Sequence, residues 1–228
     1  MTYKMIYLAQ RNPGLTEEQF PQAWREHSAL GRQCPNVQGK ITAVTQCSRV
    51  LGEPQLPGTS ADYDGVNIMV LRDLQAARDI WDDDDVRTVM RPDELRVFAD
   101  HVVHFTLVAE EQEIKSDPQG NFALIGFHAR PEALPANLFV QDWLALLRKQ
   151  LLQEAGKNPV GRCVANAVIL PPPPGYEFDL ITEFWFDRLE DMAAMTDSPA
   201  AQVLLRGPHP DGRIASITVA TQVTHRRP

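Results

Sequence analysis

Residues 13–40 read PGLTEEQFPQAWREHSALGRQCPNVQGK. The Pro13-Gly14 turn, a helix-capping Thr16 and the spacing of Phe20, Trp24 and His27 predict one helix with two aromatics and an imidazole along its inward stripe, stopping between Gly31 and Gly39. Thr16 and Gln19 fit a capping box, and Glu17 and Glu18 put negative charge where the helix dipole favours it. Pro21 is tolerated only in a first turn, which moves the start a few residues past Thr16.

Around this helix, YKMIYLAQ at 3–10 reads as a preceding strand, ITAVTQCSRV as the next and GVNIMVLR at 65–72 as a third. A helix renewed near the acidic run follows, then an extended VFADHVVHFTLVAEE. The order is β-α-β-β-α-β, a ferredoxin-like module. Residues 111–119, EQEIKSDPQ, read as a linker, after which the order repeats. Phe20-Pro21-Gln22-Ala23-Trp24 has its match in Phe139-Val140-Gln141-Asp142-Trp143, and Gly39-Lys40 in Gly161-Arg162. The expected fold is therefore α+β: tandem ferredoxin-like modules, 1–110 and 120–228, closing one intramolecular barrel that encloses or frames a pocket. Homodimerisation is allowed but not required. Three past Trp24 stands His27, and three past Trp143 stands Leu146, so any site is expected on one side only.

The 228 residues carry 22 Lys plus Arg against 30 Asp plus Glu, a formal net charge of -8. This balance argues against a nucleic-acid surface. No apolar run is long enough to span a bilayer, the first residues read as a strand instead of an export signal, and a cytoplasmic setting is expected. Cys34, Cys47 and Cys163 are too few and scattered for a disulfide framework or thiolate metal cluster.

Residues 6–32, through Asn12-Pro13-Gly14-Leu15-Thr16, the Phe20 and Trp24 pair, and His27 before Ser28-Ala29-Leu30, resemble the opening motif of the EthD-like family in the dimeric α+β barrel superfamily. The resemblance implies paired ferredoxin-like modules, and a range of functions from auxiliary proteins of catabolic pathways to cofactor-free dehydratases and cyclases acting on aromatic or polyketide-like molecules. The family's helix histidine falls on His27.

The candidate catalytic residues are His27, His101 and Asp100, with Tyr7, Arg11, Trp24 and His104 as candidate substrate contacts. On a strand, Asp100, Val102 and His104 would share one face of FADHVVHF and His101 the other. A carboxylate beside an imidazole can fix its tautomer, whereas ordinary strand-end polarity is the plainer reading. Arg11 could hold an acidic group or form a surface ion pair, and Tyr7 could donate to a phenol or carbonyl. The four aspartates at 82–85 read as a solvated face. HExxH, Walker A, G-x-G-x-x-G and G-x-S-x-G patterns are absent, and neither metal nor cofactor is expected. The leading expectation is a cofactor-independent lyase or isomerase moving a proton with His27 on a hydrophobic aromatic or carbonyl-containing molecule. The alternative is a non-catalytic binding or auxiliary protein.

Overall fold

The computed structural model describes residues 1–52, 54–153, 159–208 and 216–227. Eight antiparallel strands form a closed barrel in the order β1-β3-β2-β8-β5-β7-β6-β4. The first half supplies β1 (Tyr3–Ala9), β2 (Ile41–Arg49), β3 (Gly65–Leu71) and β4 (Thr106–Ser116), and the second supplies β5 (Phe122–His128), β6 (Arg162–Val168), β7 (Leu180–Phe186) and β8 (Ser216–Arg227). Each half is one ferredoxin-like sheet, and the halves join along β2 with β8 and β4 with β6. Residues 111–116, expected in the linker, instead continue β4, because the β4–β6 seam needs a long strand to close the barrel. The end of the helix expected through Gly156 and the start of the strand expected from Gly212 lie outside the described residues.

The first helix, α1 (Phe20–Leu30), has Pro21 in its opening turn, and the capping box forms just ahead of it. Thr16 N donates to Gln19 Oε1 at 2.9 Å and Gln19 N to Thr16 Oγ1 at 3.3 Å. Beyond a short helix α2 (Pro35–Gln38), the half is completed by α3 (Leu74–Asp79), a wide turn at Val86–Met90, and α4 (Arg91–Val97). The second half carries α5 (Ala136–Gln153), α6 (Leu189–Asp197) and α7 (Pro199–Arg206). None of these helices is long and apolar enough to cross a membrane.

Strand alternation divides the side chains into layers. Ile6, Leu8, Ile125, Phe127, Ile181 and Trp185 fill the barrel. Met5, Tyr7 and Phe98 pack outward beneath the first half's helices, and Leu124, Trp143 and Phe184 beneath the second half's. An eight-stranded barrel is just wide enough for side chains to fill, so here the barrel frames the pocket from outside instead of enclosing it. At one end of the filled interior, Lys4 Nζ reaches Glu183 Oε1 at 2.7 Å and Glu111 Oε2 at 2.5 Å. Asn166 Nδ2 and Trp185 Nε1 donate to the same Glu183 carboxylate, each at 2.8 Å.

Candidate functional site

The strand register places Tyr7, Asn67 and Gln46 side by side across β1, β3 and β2, on the face under the helices. Above them α1 lays down Trp24 and, one turn later, His27, while α4 presents Asp93 and Glu94. A cavity of about 80 Å³ remains between sheet and helices, lined by His27, Tyr7, Glu94, Gln46, Asn67 and Trp81 among a mostly apolar wall of Met, Val and Ile. That is several times the roughly 10–15 Å³ a single water needs.

His27 is only 6 % exposed, and its Nδ1 lies 2.9 Å from Asp93 Oδ2. Asp93 is itself gripped by Arg96 one turn on, Nε at 2.7 Å and a terminal nitrogen at 3.1 Å. Burial holds the imidazole below its ordinary pKa, with the Asp93 hydrogen bond opposing this in part. Burial pushes the Asp93 carboxyl up, but the bonds from Arg96 and His27 outweigh it and the net shift is downward. A neutral imidazole beside an ionised carboxylate donates from Nδ1, which leaves Nε2 as the basic nitrogen.

Residues 12–102 match the family model described as the EthD domain. The match lies within the first half of the chain and marks that half as similar to EthD domains. The whole chain has the dimeric α+β barrel fold, and solved structures share it end to end. An anthrone oxidase-like protein superposes with TM-score 0.71 at 11% identity, covering 99% of this chain and 92% of that one. A chlorite dismutase variant from Candidatus Nitrospira defluvii gives TM-score 0.52 at 13% identity, covering 98% of this chain and 92% of its own. At such identities the likeness is one of fold, and the fold is used by proteins named for different chemistries. No curated protein matches the chain by sequence.

In the first half, the segment 98–105 departs from the expected strand. Phe98 makes an isolated bridge with Arg11, and Val102–His104 forms a single tight turn. Asp100 Oδ1 accepts from His101 N at 2.6 Å, which bends the chain where an alternating pattern had suggested extension. The segment's residues therefore separate. Asp100 and His104 pair with each other on the surface at 3.0 Å, and neither reaches His27. His101 turns to Glu94, its Nδ1 lying 2.8 Å from Oε2 of that buried carboxylate, which also accepts from Val102 N at 3.2 Å.

Tyr7 lines the cavity, and its oxygen accepts from Trp24 Nε1 at 3.0 Å. Burial raises its pKa well above the ordinary value, so the phenol keeps a proton to donate. Trp24 is fully buried behind Tyr7, stacked on Phe20 with ring centres 5.0 Å apart. Arg11 faces away from the cavity: its guanidinium is ion-paired with Asp64 and donates to Leu15 O at 3.0 Å. The aspartates at 82–85 disperse, Asp83 to Lys40, Asp84 to Arg87 and Asp85 to the backbone of Asn36. Among the described residues, no three His, Cys, Asp or Glu side chains are placed to hold a metal ion. The three cysteines are buried and unpaired. Asp93, Glu94, Gln46 and Asn67 escaped the sequence reading, although a polar residue inside the apolar run GVNIMVL was a visible signal for Asn67.

Proposed function

We propose that the first half's cavity binds a small hydrophobic molecule, aromatic or carbonyl-containing, and that His27 transfers a proton on it in a lyase or isomerase reaction without a redox cofactor. The observation that carries this reading is the His27–Asp93 pair at the wall of a buried cavity. Nε2 takes a proton from an atom next to a carbonyl, and the imidazolium that forms faces the Asp93 carboxylate. The proton then returns to another atom of the same molecule, giving an isomer, or to a departing hydroxyl, giving water. Neither outcome moves electrons to or from a third party. Arg96 keeps Asp93 ionised as the charge develops, and Tyr7 is placed to donate to the substrate oxygen.

The test is turnover of candidate aromatic and carbonyl compounds by purified protein without added metal or nucleotide, repeated with His27→Ala. Turnover that vanishes with His27 supports the proposal. Binding without turnover, unchanged in His27→Ala, would make the protein a binding or auxiliary one instead.

A further inference from the structure

Among the described residues, three buried polar atoms around the same cavity have no hydrogen-bond partner: Gln46 Oε1, Asn67 Oδ1 and Arg227 Nε. Gln46 and Asn67 are each 2% exposed and stand opposite one another across β2 and β3. A buried polar atom without a partner costs about 1–3 kcal/mol, so a concentration of three around one space marks that space as a place for polar groups.

Arg227 comes from the other half of the chain. It is carried on β8 and pairs in register with Val44 of β2, so the first half's cavity is completed across the seam. Its guanidinium lies over the end of α1, where a Cβ added to Gly31 would be 3.9 Å from a terminal nitrogen. Arg32, Arg25 and His225 stand in the same neighbourhood. Burial and then repulsion from Arg32 hold Arg227 below its ordinary pKa, and burial, then repulsion from Arg227, Arg25 and Arg32, depresses His225. The carboxylate lining this cavity, Glu94, sits on α4 and has one oxygen engaged by His101 and Val102. A trapped water could satisfy the orphaned atoms but could not neutralise a cluster of cations.

We infer that the cavity's ligand is a small hydroxy carboxylic acid with an apolar or aromatic body, its carboxylate held by Arg227 and its hydroxyl donating to Gln46 or Asn67. The orphaned guanidinium donor matches a carboxylate, either orphaned amide oxygen matches a hydroxyl proton, and the Met, Val and Ile walls match the body between them. This rests on the cavity being the ligand site, as in the proposed function, but not on His27 chemistry.

The experiment is a calorimetric titration of the full chain with 4-hydroxybenzoate, 4-hydroxybenzamide, which removes the charge, and benzoate, which removes the hydroxyl. The acid is expected to bind at least tenfold more tightly than the amide. Arg227→Gln should abolish that preference, Arg227→Lys keep part of it, and Gln46→Leu with Asn67→Leu bring 4-hydroxybenzoate down to benzoate, each with an unchanged circular dichroism spectrum. Equal binding of acid and amide, no binding of the acid, or an acid preference that survives Arg227→Gln overturns the inference. His27→Ala should leave the preference intact, so an acid preference with His27-independent turnover would sink the proposed function alone.

Discussion

Tyr7 and Gly126 occupy the same position in the two halves, each the fifth residue of its half's first strand. Their cross-strand neighbours correspond as well: Tyr7 faces Asn67 and then Gln46, while Gly126 faces Thr182 and then Ala165. The polar rung of the first half is thus cut down in the second. The space is taken by His128, whose ring lies 4.1 Å from that of Trp143 and 2.9 Å from Thr182 Oγ1. One half keeps a cavity lined by an imidazole, and the other plugs the equivalent place with one.

Gly126→Ala should therefore destabilise the protein. The new Cβ would lie 2.6 Å from His128 Nε2 and 2.8 Å from Thr182 Oγ1, contacts that real side chains do not make. The expected cost is about 1–3 kcal/mol by chemical denaturation. Combining it with His128→Ala should cost less than the sum of the two single changes, since the clash and the ring share one space. Additive costs would show that Gly126 and His128 are not coupled.

Proton transfer by a positioned histidine is worth about 10²- to 10⁴-fold, so His27→Ala should lower kcat by that order with its fold intact. Leu146→Ala alters the matching position of the second half, where a half-buried leucine packs against that half's core. It should cost about 1–2 kcal/mol of stability and leave kcat within a few-fold. Equal kinetic losses in the two variants would remove the reason for placing the site in the first half.

The barrel and the helix stripe were legible because their signals are local. Phe20, Trp24 and His27 lie within one helix, and the same aromatic spacing at Phe139 and Trp143 announces the second copy. The partners of His27 were not legible because they come from far along the chain: Asp93 is separated from it by 66 positions. Arg11 shows a different limit. A lone arginine after a strand suits an anion site as well as a salt bridge, and only the structure shows that Arg11 and Asp64 are repeated by Arg130 and Asp179. Even the backbone bonds repeat, Arg11 N to Asp64 at 2.8 Å and Arg130 N to Asp179 at 2.9 Å. A clamp present in both halves, including the one whose equivalent place His128 fills, holds a loop on each side of the barrel.

Acid should act on activity and stability through different histidines. Catalysis by neutral His27 requires kcat/KM to fall on the acid side at a pH below the ordinary histidine value near 6.5, because burial lowers its pKa. Asp93 opposes that lowering, so Asp93→Asn should move the acid limb to still lower pH while reducing kcat. Stability responds mainly to His128, which burial holds down at about 3. Between about pH 6.5 and that value the unfolded chain binds a proton at His128 that the folded chain refuses. Stability is therefore full above about pH 6.5 and declines on acidification by up to about 1.4 kcal/mol per pH unit. Denaturation midpoints of wild type and His128→Asn across pH 4–7 check this: the variant should show the shallower slope, and parallel slopes would contradict it.

The last expectation concerns how the two halves are held. Lys4 comes from the first half and Glu183 from the second, and both side chains are almost wholly buried at the end of the barrel interior. Burial pushes the Glu183 carboxyl up, but Lys4, Trp185 and Asn166 together bring it below its ordinary value. Lys4→Met would leave that carboxylate without its cation in a low-dielectric site. The expected loss is about 3–5 kcal/mol at neutral pH. Once Lys4 is gone, the folded-state pKa of Glu183 should rise above its unfolded value, so the penalty applies above that range and shrinks as acid protonates the carboxyl. Lys4→Met should accordingly be less damaging at pH 5 than at pH 7. Adding Glu183→Gln should recover part of the loss at pH 7, since a neutral amide can still meet Asn166 and Trp185. A Lys4→Met penalty that stays constant with pH and is not relieved by Glu183→Gln would mean that packing around the lysine stem, and not its charge, holds the halves together.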